Sequence, residues 1–133
     1  MTNNFLYPIT NIQPSQLFIN KNKLTTINEL FIYKGIESIS PIPLKRLDNE
    51  IIYVDGHTRA LVLYQNAFKK IPAIWEPEEL DWDAYRICVS WCKNKGIYTI
   101  ADLESRIISN KEYQITWINR CQKMHKKLDS NRN

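Results

Sequence analysis

The chain has 133 residues and a formal net charge of +4, with 44% hydrophobic and 24% charged residues and only three glycines. This length suits one domain with a hydrophobic core, and the hydrophobic fraction excludes a disordered chain. No apolar run approaches the ~20 residues of a membrane span, and the first residues lack the basic start of a signal peptide. We therefore expect a cytoplasmic protein that makes no use of a membrane.

The charge is unevenly distributed along the chain. Residues 111–133 hold six Lys or Arg against two Asp or Glu, and residues 76–83 hold five acidic side chains. A basic end can attract nucleic acid, but a solvated helix face is the more common role of such charges. The composition therefore leaves DNA as a partner that is possible but not favoured.

The first part of the sequence predicts a helix followed by a hairpin. Apolar residues at helical spacing predict a helix over residues 21–33, and Gly35 is typical of its end. Two prolines then start an extended segment over residues 42–47. A turn at residues 48–49 and a β-branched run at residues 51–54 complete the predicted hairpin.

The next segment alternates between helix and strand. A helical pattern covers residues 58–68, and an apolar run with a proline near its start covers residues 71–75. Together with the strand at residues 51–54, this order predicts a parallel crossover unit.

After residue 76 the periodicity is helical throughout. Asp81 is positioned to cap a helix that reaches Lys95, and Thr99 to cap a short one. Ser109 with Glu112 three residues later forms a capping box for a last helix. We therefore predict a mixed α/β core over residues 1–76 and a helical extension over residues 77–133, packed together as one structural unit.

One short motif carries chemistry. The apolar strand delivers Asp55-Gly56-His57-Thr58-Arg59 to the start of a helix. The first N–H groups of a helix lack partners within it and attract anions, and glycine permits a tight turn there. Thr58 either caps the helix or binds a phosphate oxygen, and the planar guanidinium of Arg59 suits phosphate.

Two residues of this motif are catalytic candidates. Asp55 can hold a metal ion or accept a proton, and His57 can donate to phosphate or transfer a proton. The phosphate-binding candidates are Gly56, His57, Thr58 and Arg59. The structural alternative is a plain Asp-Gly turn followed by Thr58 as the helix cap.

The same stretch carries a family resemblance. Residues 51–74, IIYVDGHTRALVLYQNAFKKIPAI, resemble the ParB/sulfiredoxin-like superfamily core: an apolar strand, Asp-Gly-His-x-Arg, a helix, then Ile-Pro. The resemblance extends over about residues 9–75 and implies a small sheet with helices, to which the C-terminal helices are an addition. The turn has no cysteine, unlike that of sulfiredoxins, and it has one arginine where ParB proteins have an arginine-rich version.

The closest enzymatic resemblance is to the free serine kinases of that superfamily. It implies that the motif holds nucleotide phosphates, that ATP or ADP with Mg²⁺ is the cofactor, and that Asp55 serves phosphoryl transfer. The residue that aligns with the presumed glutamate base of those kinases is Gln16. A glutamine can bind a substrate but cannot deprotonate it.

These observations predict a nucleotide- or phosphate-binding protein, and, if it is an enzyme, a phosphotransferase acting on a small hydroxyl substrate such as free serine. The alternative is a non-catalytic module that keeps the fold and binds DNA or protein.

A second set of residues allows a metal site. Cys88 and Cys92 are four residues apart on one predicted helix, and Cys121 and His125 are four residues apart on another. If the helices pack together, these side chains supply the ligands that zinc prefers. They also continue the apolar faces of their helices, and buried packing is the more common role of such cysteines, so we expect packing here and no metal site.

Overall fold

A computed structural model describes residues 4–132, and it is a mixed α/β fold built on a four-stranded sheet. The strands are β1 (Phe5–Pro8), β2 (Ile19–Asn20), β3 (Ile42–Leu47), β4 (Glu50–Tyr53), β5 (Lys70–Trp75) and β6 (Ile107–Ile108). The helices are α1 (Lys21–Lys34), α2 (His57–Gln65), α3 (Trp82–Asn94), α4 (Asn110–Tyr113) and α5 (Asn119–Arg132). The mixed α/β class predicted from the sequence is confirmed.

The main sheet has the order β1-β5-β3-β4. β3 and β4 form the predicted antiparallel hairpin, with Leu44 opposite Tyr53, and β5 lies parallel to β3 on its other side. β1 closes the sheet as an antiparallel neighbour of β5. A separate parallel pair, β2 and β6, joins the two halves of the chain.

The predicted parallel crossover is wrong. β3 lies between β4 and β5, and because it is antiparallel to β4 and parallel to β5, those two strands run in opposite directions. The hairpin turn, in which Asp48 has a positive φ of 56°, folds β4 back along one edge of β3. β5 therefore pairs with the edge of β3 that remains free.

The helix boundaries follow local chemistry. α1 begins after Asn20, whose side chain accepts from two backbone N–H groups, and ends at Gly35 as predicted. α2 is shorter than its apolar pattern suggests. It ends at Gln65, and Phe68 lies beyond it, packed edge-on against Phe31 with ring centroids 5.7 Å apart.

The helical extension shares the core of the sheet. Asp81 caps α3 through the N–H of Ala84, and Thr99 forms a capping box with Asp102. The box predicted at Ser109 forms in part: the Ser109 hydroxyl accepts from the Glu112 N–H and itself donates to the Glu112 carboxylate. α4 continues into α5 through a π-helical segment, Gln114–Ile118. Side chains from both halves belong to one buried cluster, among them Leu44, Leu61, Cys92, Trp117 and Met124.

Two further features concern the chain as a whole. β1 and the β2–β6 pair were not predicted, because segments of two to four residues carry too little periodicity. Among residues 4–132, no helix combines the length and the apolar character needed to cross a membrane.

Tyr53 and Tyr85 differ in the hydrogen bonding of their hydroxyl groups. Tyr53 is fully buried and its hydroxyl has no hydrogen-bond partner among the described residues, whereas the hydroxyl of Tyr85 donates to the carbonyl of Val54 at 3.1 Å. We expect Tyr53→Phe to leave the free energy of unfolding unchanged or to raise it by about 1 kcal/mol. Tyr85→Phe should lower it by about 1 kcal/mol. Urea denaturation measures both, and an equal loss in the two variants would contradict this account.

Candidate functional site

The motif lies where β4 ends and α2 begins. Gly56 is the N-cap of α2 in the left-handed conformation, with φ 80° and ψ 20°, and none of the described side chains caps the helix. A Cβ atom at Gly56 would lie 2.9 Å from Nη2 of Arg59 and 3.0 Å from Cγ2 of Ile42. The left-handed conformation favours glycine here, and a Cβ atom would also make Arg59 and Ile42 shift. No side chain among residues 4–132 accepts from the first N–H groups of the helix.

Thr58 does not cap the helix. The helix begins one residue earlier, at His57, so Thr58 lies inside its first turn and is buried. The alternative interpretation of the motif, an Asp-Gly turn followed by Thr58 as the helix cap, is therefore wrong about the cap. Asp55, just before the cap, is exposed.

An N-terminal segment is tied to the motif by a series of hydrogen bonds. Gln13 exchanges backbone hydrogen bonds with β4, donating to Ile51 at 2.8 Å and accepting from Tyr53 at 3.1 Å. Two residues on, the Ser15 hydroxyl donates to the Tyr53 carbonyl at 2.8 Å, and the Ser15 N–H donates to Nε2 of His57 at 2.9 Å. These contacts place the residue that follows, Gln16, beside the start of α2.

The bond from Ser15 fixes the state of His57. Because Nε2 accepts a hydrogen bond, the proton of the neutral ring is on Nδ1, and Nδ1 is buried with no partner among residues 4–132. Burial lowers the pKa of His57 to about 3, Lys23 adds to this effect, and the carboxylate of Asp55 opposes it. The ring is neutral at physiological pH, and through the bond from Ser15 it positions the loop.

Arg59 points to the other side of the turn. Its Nη1 donates to the carbonyls of Ser40 at 2.9 Å and Pro41 at 3.0 Å, and its guanidinium folds over Gly56. Partial burial lowers the pKa of Arg59, and Asp55 raises it. The structure therefore separates Arg59 from His57, although both belong to one motif.

A cavity of about 230 Å³ lies on the His57 side of the turn. Its wall includes Ser15, Gln16, Val54 and His57 from the core. Gln16 has a structural role as well, because its side-chain nitrogen donates to the Phe18 carbonyl at 2.8 Å. The residue that the resemblance aligned with a catalytic position thus lines the same cavity as His57.

The extension supplies the opposite wall of this cavity, including Asp81, Tyr85 and His125. Asp81 accepts two hydrogen bonds from Arg132 at 3.0 and 3.2 Å, and Nδ1 of His125 lies 4.0 Å from it. The hydrogen bonds from Arg132 hold the pKa of Asp81 below its usual value. The sequence marked Asp81 only as a helix cap and His125 only as a possible metal ligand, and it did not mark Tyr85 or Ser15 as site residues. These side chains meet only through long-range packing.

The cysteines occupy packing positions. Cys88 and Cys92 are buried, Cys121 is half-buried, and the Cys92 thiol donates to the Gln16 carbonyl at 3.5 Å. Burial raises the pKa of Cys92 to about 12, which keeps it a thiol. Within residues 4–132, no three His, Cys, Asp or Glu side chains are grouped closely enough to hold a metal ion.

Comparison with known proteins gives a fold and no family. No protein-family model matches the chain, and no curated protein matches its sequence. Among solved structures, the crystal structure of protein Atu1540 from Agrobacterium tumefaciens is similar, with a TM-score of 0.51 and 12% sequence identity. The match covers 77% of this chain and 62% of Atu1540, so the chain spans about three fifths of that protein's length. At this identity the likeness shows fold alone, and membership of the ParB/sulfiredoxin-like superfamily stays a prediction.

The buried imidazole predicts a pH dependence of stability. Below pH 6.5 the unfolded chain protonates this side chain, whereas the folded protein does so only near pH 3. The free energy of unfolding should therefore fall as pH is lowered between these values, by up to about 1.4 kcal/mol per pH unit. His57→Gln, whose amide oxygen can accept from Ser15, should remove this part of the slope.

Urea denaturation from pH 7 to pH 5 measures the slope, and His125→Gln at the exposed histidine is the matched control. If the slope is lost in His125→Gln and kept in His57→Gln, the titrating residue is His125. That result would refute the tautomer proposed for His57.

Proposed function

We propose that the protein binds a phosphate group of a nucleotide at the start of α2, and that it belongs among phosphotransferases acting on small hydroxyl substrates. The observation that carries the proposal is the N-terminus of α2, which has no side-chain cap and which starts at a residue lining the cavity. Free N–H groups and the helix dipole favour an anion there. His57, which lines the cavity, carries on Nδ1 a buried N–H without a partner among residues 4–132.

The size of the cavity limits what it can hold. About 230 Å³ lies below the ~300–1,000 Å³ typical of sites that enclose a whole drug-sized ligand. A phosphoryl group or a small substrate fits this volume. In our proposal the nucleoside therefore lies outside the cavity, on the exposed side of the turn.

Mg²⁺ fits this arrangement through Asp55. Magnesium in nucleotide sites is held by one or two carboxylates together with the phosphates, so a dense acidic cluster is not required. Asp55 is exposed, directly precedes the helix cap and is near enough to oppose the pKa shift of His57. When bound, the ion supplies neutralisation of charge on the phosphate oxygens.

The substrate side of the proposal rests on Gln16. Its side-chain nitrogen is occupied by Phe18, which leaves the amide oxygen to accept from a substrate hydroxyl. Free serine is the substrate that the family resemblance favours. An amide cannot remove the hydroxyl proton, so catalysis would rest on positioning and electrostatics, with Asp55 as the acid–base candidate.

The other motif residues take supporting roles in this proposal. His57 holds the loop that carries Gln16, and Arg59 holds the loop before β3. The guanidinium of Arg59 already covers Gly56 and does not line the cavity, so in this proposal Arg59 supports the turn from its other side.

A non-catalytic module is the second candidate function. A glutamine at the presumed base position and a histidine held neutral both favour it, since neither can accept a proton at neutral pH. Such a protein would keep the anion site and bind a partner, either protein or DNA.

Binding is tested with Asp55→Asn, a change at an exposed position. Titration calorimetry should show that inorganic phosphate without Mg²⁺ binds the variant several-fold more tightly than it binds the unaltered protein, because a nearby negative charge is removed. Removing a repulsion of ~1 kcal/mol raises the affinity about fivefold. ATP with Mg²⁺ should bind it more weakly than it binds the unaltered protein, because the carboxylate ligand is lost.

Asp48→Asn, in the turn at the opposite end of β4, is the matched control and should change neither affinity. The proposal fails if the unaltered protein binds neither phosphate nor ATP, or if the two variants behave alike.

Turnover is tested separately with Gln16→Glu. General-base assistance contributes ~10²–10⁴-fold, so we expect slow or no phosphoserine formation from ATP and serine in the unaltered protein and an increase of at least tenfold in Gln16→Glu. Gln122→Glu, the same change at an exposed position of α5, should have no effect. Nucleotide binding without turnover in any variant would favour the non-catalytic module, and fast turnover in the unaltered protein would assign the base to another residue.

A further inference from the structure

We propose that a groove between α3 and α5 is a docking site for an acidic amphipathic helix of a partner protein. The groove has a volume of about 660 Å³, almost three times that of the cavity at α2. It is lined by a different set of residues and lies outside the proposed phosphate site. Its occupant is inferred from three properties: an apolar floor, a basic rim and a length suited to a helix.

The floor of the groove is apolar and accessible. Trp91 from α3 and Met124 and Leu128 from α5 line it, and Ile115 extends it along the π-helical segment. Trp91 and Leu128 are only partly buried, and Ile115 is 57% exposed. The apolar face of a partner seated in the groove would remove these side chains from water.

The rim is positively charged on one side only. Arg120, Lys123 and Lys127 line the groove from α5, at the three- and four-residue spacing of one helix face, and no Asp or Glu in the described part of the chain lines it. Arg120 already lies over the ring of Trp91, with its guanidinium carbon 4.2 Å from the ring centroid. A partner with an acidic flank beside an apolar face complements both features.

The length of the groove favours a helical occupant. Its lining extends from residue 115 to residue 131, which is about 24 Å at 1.5 Å per residue, or over four helical turns. Helices dock in such grooves through apolar anchors at i, i+3, i+4 and i+7. A nucleic acid would pair its phosphates with the rim but would leave the apolar floor without a partner, so a protein helix is the better complement.

The experiment uses a fluorescein-labelled peptide of about 17 residues, with leucines at helical spacing on one face and glutamates beside them. Fluorescence anisotropy with the full chain should show saturable binding that weakens as NaCl is raised from about 50 to 300 mM, because exposed charges are screened. A peptide of the same composition in scrambled order, and one with lysine in place of glutamate, should bind at least tenfold more weakly.

Two matched pairs of variants locate the site. Lys127→Glu should weaken peptide binding about tenfold and reduce its salt dependence, whereas Lys126→Glu, the same change one residue away and outside the groove, should not. Ile115→Ser should weaken binding similarly, and Ile32→Ser, at a 70% exposed residue of α1, should leave it unchanged. All four positions are exposed, and circular dichroism checks that each variant folds.

Several results would overturn the proposal. These are equal effects of Lys126→Glu and Lys127→Glu, equal binding of the ordered and scrambled peptides, and no binding of the ordered peptide. Stronger competition by a short DNA duplex than by unlabelled peptide would instead make this face a nucleic-acid surface. If a saturating concentration of decanoate displaces all of the labelled peptide, and the groove does not distinguish between the peptides, the groove is a site for small amphiphilic anions.

Discussion

The hydrogen bond from the Ser15 N–H to Nε2 of His57 is the constraint on which the candidate site depends. It requires a neutral imidazole, and the near-complete burial of His57 provides one by lowering its pKa to about 3. A charged ring would have no acceptor for the Ser15 N–H and would pay the cost of desolvation. The same bond, with that from Ser15 to Tyr53, brings Gln16 to the start of α2. One buried side chain thus joins the N-terminal loop, β4 and α2 at the place where a ligand is proposed to bind.

The sequence predicted those parts of the fold that depend on local chemistry. The helices at residues 21–34 and 82–94, the hairpin and the capping box at Thr99 all follow from spacing, turn residues and caps within a few positions of each other. The crossover failed because strand order is set by which edge of β3 is free, and no local pattern encodes that. The same distinction applies to the candidate site. The turn at Gly56 was predicted from the sequence, but the different directions of His57 and Arg59 were not.

The cavity joins the two halves of the chain more closely than their sequences suggested. Its core wall comes from the segment before α1 and from the start of α2, and its other wall comes from α3, α5 and the π-helical segment between α4 and α5. Arg132, at the far end of α5, donates two hydrogen bonds to Asp81, and Asp81 also caps α3. These exposed contacts are individually weak, so it is the shared hydrophobic core that fixes the wall in place.

This shared construction places a requirement on any function assigned to the core. A fragment ending near residue 76 would retain the turn, Gly56 and the uncapped start of α2, but Asp81, Tyr85 and His125 would be absent. It would also expose core side chains that share one buried cluster with Cys92, Trp117 and Met124, as well as Leu47 and Ile52, which are clustered with Val89. Apolar surface of this extent costs about 25 cal/mol for each Å² left in water, so such a fragment would lose stability as well as the cavity wall. The helical extension is therefore a component of the proposed ligand site and of the core that supports it, while the outward side of α3 and α5 remains free for the proposed partner helix.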